Sequence, residues 1–409
     1  MSQTIHIIGA GVSGLIAAIE LEKNGYSCVL FEQSNQIGGR VQSDLLDGYS
    51  FDHGFQVLLT EYPAAKKWLD YKALDLQKFR PGAEIVSENK TSILGDPRRD
   101  LTFIRNIFDG SVASIPDKIK TLKLAYALKR KSLKSIFSEE SISSLDYLKG
   151  KGFSDQLIIQ FFRPFWGGIF LETDLSTSSR MLKFIYKMFG AGYSAIPSAG
   201  MQAIPNQLFQ RLRNTTLLLN HTVTSVEKNQ LIFKNGKTVH FEHLIIATDL
   251  ENLLRNHQKI EWKSCYNYYF EIKIERTPTR MISLVSNPSF YVNNYHYTTD
   301  LVDHPQGKTI LSATVVNSRN KSEPALLEEV IQELKVLTKA QAIKLIKAYP
   351  IKKALPQVSD IKYSPTKDQI KLSNNIYLAG DQLSMGSLNA AILSGEKSAQ
   401  MVIERINNA

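Results

Sequence analysis

The chain has 409 residues, of which 43% are hydrophobic and 22% charged, so it can bury a sizeable core and is not expected to be disordered. Its two cysteines, Cys28 and Cys265, form neither a CxxC pair nor a zinc-ligand spacing, which argues against a disulfide framework and a metal site and favours a reducing compartment. The net charge of +10 is compatible with an anionic partner or with solvated lysines alone, and we expect no nucleic-acid partner.

The apolar segments bear on localisation. The first apolar run, 5–8, leads directly into glycines, without the basic segment and longer apolar stretch of a signal peptide. No stretch reaches the about 18 uninterrupted apolar residues of a transmembrane helix. We therefore expect a cytoplasmic protein, either free or peripheral on a membrane.

The N-terminal segment predicts a strand, a turn, a helix and a second strand. Residues 5–8 are a short buried strand, and a turn with glycines at positions 9, 11 and 14 follows. Residues 15–24 have the composition of a buried helix that ends at Gly25, and 28–32 are the second strand. Short strands around a helix favour a parallel βαβ unit.

The remaining chain alternates between helical and strand-like patterns. Residues 78–193 are mostly helical in pattern, and strands return at 217–248 with a hairpin signal at Asn235-Gly236. Successive strand-like segments between 265 and 316 predict an antiparallel sheet. Helices are predicted at 323–337, 339–347 and 388–407, and a strand at 376–379.

The pattern Gly9-x-Gly11-x-x-Gly14 is typical of dinucleotide-binding folds. The first glycine permits the tight turn, the second lets the backbone approach a pyrophosphate, and the third lets helix and strand pack closely. Glu32 ends the second strand near the roughly 20-residue spacing of a ribose-binding acid, where it would accept hydrogen bonds from ribose hydroxyls and repel a 2′-phosphate. The alternative interpretation is a glycine turn with a solvated glutamate.

With Gly38-Gly39-Arg40 added, the sequence resembles the flavin amine oxidase superfamily, which includes monoamine oxidases, protoporphyrinogen oxidases and phytoene or carotene desaturases. Further segments resemble the family in the same order, at 52–56, 196–201, 223, 244–248, 377–381 and 386–391. The resemblance implies that FAD is bound by Gly9, Gly11, Val12, Ser13, Gly14, Glu32, Gln33, Gly38, Gly39, Arg40, Gly54, Phe55, Gln56, Val223, Ala247, Thr248, Gly380, Asp381, Ser387, Leu388 and Ala391.

The resemblance also implies a domain organisation and a fold class. We expect an α/β fold, with a discontinuous Rossmann-type FAD-binding domain and an α+β substrate domain. The FAD-binding parts are predicted at 1–77, 194–255 and 351–409. The substrate domain is predicted as a helical part at 78–193 and a sheet part at 256–350.

Departures from the family pattern bear on the substrate. Ser387 stands where monoamine oxidases carry one aromatic wall of their amine cage. No cysteine lies between residues 355 and 387, so the family's cysteinyl flavin link is absent and FAD should be non-covalent. Lys273 is the catalytic candidate, because it could correspond to the lysine that the family places near the flavin N5. The alternative interpretation is a solvated lysine on a strand. The C-terminal motif, which consists of the segments 377–381 and 386–391, most closely resembles that of the plant and cyanobacterial desaturases.

Two further regions allow two interpretations each. The aromatic segment 161–170 is either the roof of a substrate tunnel or an ordinary core helix end. In the basic segment 118–137, Ile115, Ile119, Leu122 and Tyr126 recur at helical spacing, so it either lies on anionic lipid or turns this apolar face into the core. The basic residues are Lys118, Lys120, Lys123, Lys129, Arg130, Lys131 and Lys134.

These observations predict an FAD-dependent oxidoreductase of the desaturase or dehydrogenase type. It would remove two reducing equivalents, as hydride to the flavin N5, from an organic, hydrophobic small molecule, with dioxygen or a quinone as electron acceptor. An amine or protoporphyrinogen-type oxidase is the first alternative, and a non-catalytic flavin-binding scaffold is the second. The sequence identifies no general base.

Overall fold

The structure, a computed structural model, describes residues 4–251, 253–254, 259–302 and 307–408. The predicted domain boundary between residues 255 and 256 lies outside the described residues, and the division into five segments stays a prediction. The strands are β1 Thr4–Ile8, β2 Ser27–Phe31, β3 Ser43–Leu46, β4 Tyr49–Asp52, β5 Leu58–Leu59, β6 Leu76–Lys78, β7 Gly82–Val86, β8 Thr91–Gly95, β9 Ser194–Pro197, β10 Thr216–Leu218, β11 Val223–Glu227, β12 Gln230–Phe233, β13 Thr238–His240, β14 His243–Ile246, β15 Trp262–Lys273, β16 Ile282–Val285, β17 Val292–Tyr297, β18 Thr309–Val315, β19 Ala342–Pro356 and β20 Ile376–Leu378. The helices are α1 Val12–Lys23, α2 Pro63–Trp68, α3 Ile115–Arg130, α4 Leu133–Ser138, α5 Ser144–Gly150, α6 Asp155–Leu157, α7 Arg163–Phe170, α8 Ser179–Ala191, α9 Ala203–Phe209, α10 Glu323–Thr338, α11 Lys367–Ile370 and α12 Leu388–Asn407.

A five-stranded parallel sheet holds the pieces from the start, middle and end of the chain. Its strand order is β10-β2-β1-β14-β20, so β1 lies between β2 and β14. Helix α1 packs closely on this sheet, and Gly14 permits the close approach because it has no side chain. A Cβ at this position would lie 1.9 Å from the Gly9 carbonyl oxygen. Helix α12 packs on α1 at Gly395, where a Cβ would lie 2.2 Å from the Ser13 carbonyl oxygen. This arrangement confirms the predicted α/β class with a Rossmann-type parallel sheet.

A seven-stranded mixed sheet forms the second large layer, in the order β19-β15-β18-β17-β16-β7-β8. Its antiparallel core β15–β18–β17–β16 confirms the sheet predicted between 265 and 316. Helix α10 covers one face through Leu326, Val330 and Leu334, and the other face lines a cavity.

One sequence-based element assignment is wrong in this sheet. Residues 342–347 of the helix predicted at 339–347 instead begin strand β19, which pairs antiparallel with β15 along most of its length. The alanine, leucine and lysine content of this segment favours a helix, but pairing with β15 overrides that local propensity. The segment 78–193 is mostly helical, as predicted, although it also contains β7 and β8, which extend the same sheet.

Helix α3 places its apolar side chains unlike an ordinary surface helix. Asp117, Leu124 and Leu128 are its buried residues, whereas Ile115 is 53% and Tyr126 58% exposed. The interpretation that the apolar face of this helix lies in the core is therefore wrong. Within the described ranges no helix combines the length and apolar character needed to cross a membrane.

Candidate functional site

A cavity of about 1510 Å³ lies where the parallel sheet, the helical segment and the seven-stranded sheet meet. This volume exceeds the roughly 300–1,000 Å³ of an ordinary small-molecule site, so it can hold a cofactor and a substrate together. It is continuous from the glycine turn after β1 to the aromatic residues of α7 and α8. The two ends of the cavity differ in chemistry.

The glycine turn after β1 leaves room for a phosphate group. Gly9 has a φ of +100°, and a Cβ there would lie 2.7 Å from the Ala247 carbonyl oxygen, so only glycine fits. Gly11 is the N-cap of α1 and provides no side-chain cap. The first backbone N–H groups of α1 are therefore available to an anion at the positive end of the helix dipole.

Glu32 is held at the end of β2 with its carboxylate lining the cavity. Its Oε2 accepts from the Ala10 backbone N–H at 2.9 Å, and its Oε1 accepts from the Ser34 backbone N–H at 3.0 Å. The side chain is buried. These N–H donors orient a buried carboxylate whose remaining lone pairs can accept hydroxyl groups.

Arg40 and Asp381 form an ion pair that connects the GGR loop with the C-terminal motif. Arg40 Nη1 donates to Asp381 Oδ2 at 3.0 Å, and Nη2 donates to Oδ1. The Asp381 side chain is 4% exposed, and the Arg40 guanidinium lies 5.0 Å from the centroid of the Trp262 ring. The bidentate geometry fixes the guanidinium at the cavity wall, with its charge balanced by Asp381.

The cavity brings together nearly all the residues for which the sequence predicts cofactor contacts. Gly14 does not line it and instead packs α1 against the glycine turn. Lys273 lies exposed at the end of β15, outside the cavity lining, so it carries no argument for catalysis. The lining includes Gly9, Gly11, Val12, Ser13, Glu32, Gln33, Gly38, Gly39, Arg40, Gly54, Phe55, Gln56, Val223, Ala247, Thr248, Gly380, Asp381, Ser387, Leu388 and Ala391.

Polar side chains for which the sequence predicted no cofactor contact adjoin the segment 54–56. His53 Nε2 lies 2.9 Å from Asp44 Oδ1, and the Tyr349 hydroxyl donates to Asp44 Oδ2 at 2.9 Å. His53 and Tyr349 line the cavity with their rings 4.6 Å apart. No local sequence signal joins these residues, because the pairing of β3 with β4 and the approach of β19 bring them together.

Behind the same segment lies a buried histidine. The ring of His296, on β17, packs 4.6 Å from the ring of Phe55. Burial lowers the pKa of His296 to about 4, against a partial opposing effect of Asp300. The imidazole is therefore neutral at pH 7 and supports Phe55 without adding charge.

The far end of the cavity is aromatic. Phe161 and Phe165 line it with stacked rings 5.2 Å apart, and Tyr186 and Phe189 of α8 complete the wall. Phe162 and Phe170 point into the core instead. The segment 161–170 therefore has one helical face on the cavity and another in the core, since residues four apart share a face. Its role as the roof of a substrate tunnel stays a prediction.

Comparison with known proteins places these features in context. Residues 12–403 match the protein-family model described as "Flavin containing amine oxidoreductase". Protoporphyrinogen oxidase 2 of Arabidopsis thaliana is 29% identical over 168 residues, which are 40% of this chain and 32% of that protein. The 4,4'-diaponeurosporene oxygenase of Staphylococcus aureus is 44% identical over 62 residues, 15% of this chain and 12% of that protein. The matches thus span a third or less of these relatives' lengths.

Solved structures share the fold. An oxidoreductase from Methanosarcina mazei has a TM-score of 0.75 at 14% identity, covering 98% of this chain and 100% of that one. A putrescine oxidase variant from a cofactor-binding redesign has a TM-score of 0.69 at 16% identity, covering 99% of each chain. At such identities the likeness concerns the fold alone.

The buried histidine makes stability depend on pH. The folded pKa of His296, about 4, lies below the ordinary value of 6.5, so the unfolded chain takes up a proton first as the pH falls. Between about pH 7 and about pH 5, the wild type should lose about 2 kcal/mol more free energy of unfolding than His296→Gln. Urea titrations at the two pH values measure this difference.

The matched control is His240→Gln, which replaces an exposed histidine. It should keep the pH dependence of the wild type. Identical pH dependences for wild type and His296→Gln would contradict the assignment of a neutral buried imidazole.

Proposed function

Because the chain belongs to the flavin containing amine oxidoreductase family, we propose that it is an FAD-dependent oxidoreductase acting on a hydrophobic organic substrate. One observation carries the proposal: a continuous cavity joins a phosphate-accepting glycine turn to an aromatic wall. We propose a desaturase or dehydrogenase reaction, with dioxygen or a quinone as electron acceptor. When bound, FAD supplies the acceptor for two reducing equivalents at its ring N5.

The cavity residues suit FAD, and each has a proposed part. The uncapped start of α1 would hold the pyrophosphate, and Glu32 would accept the ribose hydroxyls. Arg40, neutralised by Asp381, would lie near the pyrophosphate or flavin, and segment 54–56 would lie beside the ring. We propose non-covalent binding, because no cysteine lies between residues 355 and 387.

The aromatic wall supports a hydrophobic substrate. Phe161 and Phe165 present apolar rings that exclude water from the reacting carbon. Ser387 is the N-cap of α12 and has no aromatic ring. Its hydroxyl oxygen accepts a hydrogen bond from the Ala390 backbone N–H at 3.1 Å. An amine held between two aromatic rings would lack one of them here.

We also propose peripheral contact with a membrane. Seven exposed apolar side chains cluster on α3 and on the segment before it, and Phe108 is 81% and Leu101 72% exposed. This apolar patch consists of Leu101, Ile104, Phe108, Ile115, Ile119, Leu122 and Tyr126. Exposed basic residues accompany it, namely Arg105, Lys123, Lys129, Arg130 and Lys134. An apolar surface with basic neighbours fits an anionic lipid surface.

The mouth of the cavity lies beside this patch. Leu122 belongs to the patch and also lines the cavity. Ile107 and Ala125, which are neighbours of the patch in the chain, line the cavity as well. Lys118 is not a lipid contact, because its Nζ donates to the carbonyls of Asn106, Ile107 and Asp109 at 3.1, 2.8 and 2.6 Å. It thereby ties residues 106–109 of the preceding segment to α3.

FAD binding should depend on Glu32. Glu32→Ala removes a buried carboxylate that we propose accepts the ribose hydroxyls, so it should weaken FAD binding by about one to two powers of ten. Flavin retained after serial dilution measures this, with Glu140→Ala, at an exposed position, as the control. Acid should release intact FAD from the wild type. Flavin remaining with the precipitate would contradict non-covalent binding.

Anaerobic reduction of the flavin tests the reaction itself. We expect protoporphyrinogen or phytoene, presented in detergent, to bleach the flavin absorbance, and putrescine to leave it unchanged. Bleaching by putrescine, with hydrogen peroxide formed on admitting air, would favour the amine-oxidase alternative. A flavin that dithionite bleaches but none of the three substrates does would favour the non-catalytic scaffold.

Vesicle co-sedimentation tests the membrane contact. The wild type should bind anionic vesicles better than neutral ones and lose binding as salt rises, since each nearby basic residue contributes about 1 kcal/mol at low salt. Joint Phe108→Ser and Leu122→Ser substitution should reduce binding. Leu45→Ser, at an 80% exposed leucine outside the patch, is the control. Equal binding by both variants would contradict the role of the patch.

A further inference from the structure

A row of alternating charges lies at the glycine-turn end of the cavity and has no part in the proposed reaction. Lys353 of β19 donates to the carboxylates of Asp249 and Glu251, with Nζ 3.1 Å from Glu251 Oε2. Lys259 continues the row, with its Nζ 2.7 Å from Glu251 Oε1. Each ammonium is balanced by a carboxylate, so the row is neutral as a whole. The group of Lys353, Asp249 and Glu251 is called the ionic clasp below.

The ionic clasp joins two layers of the fold at the cavity wall. Strand β19 belongs to the seven-stranded sheet, whereas Asp249 and Glu251 follow β14 of the parallel sheet. The end of β19 is held separately by close packing, since a Cβ at Gly386 would lie 2.6 Å from Leu355 Cδ1. The clasp can therefore open by rotation of its side chains, without movement of the strand.

The ionic clasp lies where the cavity reaches the surface. All three of its residues line the cavity. The side chains of Lys353, Asp249 and Glu251 are nevertheless 48%, 19% and 29% exposed. Nearly half of the lysine side chain is in contact with solvent, so it lies at the rim of the cavity rather than inside it. The clasp thus closes an opening that is separate from the mouth beside the apolar patch.

This opening is close to the site proposed for the phosphates of FAD. Asp249 directly follows Thr248, and a Cβ at Gly9 would lie 3.4 Å from the Thr248 Cβ. The mouth beside the apolar patch lies at the other end of the cavity, beyond the aromatic wall. A cofactor held at the glycine turn therefore has a shorter way to solvent at the clasp. Because the row of charges is neutral, it does not repel an anionic dinucleotide as a whole.

We propose that the ionic clasp is a gate for the cofactor, and that FAD enters and leaves when Lys353 separates from the two carboxylates. This inference rests on the proposed function, because it requires FAD in the cavity. The ion pairs are formed while the cavity is empty, and in this proposal they make no bond to FAD. Opening the clasp therefore changes the rates of FAD binding and release by the same factor. The dissociation constant of FAD stays the same.

The rate of FAD release tests the gate. FAD-loaded protein is mixed with a phosphodiesterase that cleaves only released FAD, and the rise in flavin fluorescence gives the rate. Lys353→Met should release FAD about threefold faster than the wild type, as expected for the loss of exposed ion pairs. Joint Asp249→Asn and Glu251→Gln substitution should accelerate release by a similar factor. The dissociation constant, measured from flavin fluorescence after serial dilution, should stay unchanged in both variants.

Two control variants separate the ion pairs from the charge itself. Lys353→Arg keeps the ion pairs and should keep the wild-type rate. Lys352→Met removes the same charge from the neighbouring residue, which also lines the cavity, is exposed, and forms no ion pair among the residues that the structure describes. This variant should also release FAD at the wild-type rate. Melting temperatures show whether each variant is folded.

The outcomes separate a gate from a direct contact with FAD. If Lys353 instead attracted the phosphates, Lys353→Met would raise the dissociation constant, and removing the two carboxylate charges would slow release. Either result overturns the inference, as does a variant that loses its FAD during purification. Release at the wild-type rate in both test variants overturns it too, because FAD then leaves elsewhere. A wild-type protein that holds no FAD overturns both this inference and the proposed function.

Discussion

The ion pair between Arg40 and Asp381 joins two segments that are far apart in the chain and adjacent in the cavity wall. It fixes the GGR loop against the C-terminal motif through two hydrogen bonds. Asp381 is buried, so removing either partner would leave an uncompensated charge. The contact also depends on the close approach of α1 and α12, where the Ser13 hydroxyl donates to the Ala391 carbonyl at 2.9 Å. The first and last segments thereby form one surface facing the cavity.

From that surface the cavity passes from a polar end to a mainly aromatic one. At the parallel sheet, backbone N–H groups, Glu32 and Arg40 offer hydrogen bonds and charge. At the helical segment, aromatic rings line the cavity, and Arg98 and Arg99 lie beside Tyr186 and Phe189 there. The seven-stranded sheet lies between, and its two faces differ in the same way, apolar towards α10 and partly polar towards the cavity. A single sheet thus provides both core packing and a neutral polar surface.

Helix α3 shows how an exposed apolar surface can coexist with a stable fold. Its buried apolar residues are Leu124 and Leu128. Asp117 adds a buried polar anchor, since its carboxylate accepts from the Ser154 backbone N–H at 3.1 Å and from the Ser154 hydroxyl at 2.7 Å. With the helix held in this way, the remaining apolar positions contribute little to folding. These exposed side chains include Leu122, which also lines the cavity.

The sequence by itself determined the parallel βαβ unit, the family and most residues of the polar end. Those features depend on short-range patterns, because the glycines at 9, 11 and 14 and the acid at 32 act through local turns and a single helix end. Helices α10 and α12 were predictable for the same reason, since their apolar spacing is local. The predicted contacts of Arg40 and Asp381 followed from the family pattern, but their mutual pairing did not.

Only the tertiary structure decided the rest. The segment 339–347 has a helical composition, but its residues 342–347 begin β19 because β15 provides a pairing partner far away in the chain. The exposure of Ile115 and Tyr126 depends on which face of α3 its neighbours cover, and periodicity cannot identify that face. His53 with Asp44, and Asn294 with Thr314, meet through strand pairing across unrelated segments. Such contacts depend on register between distant strands, which no local pattern in the sequence records.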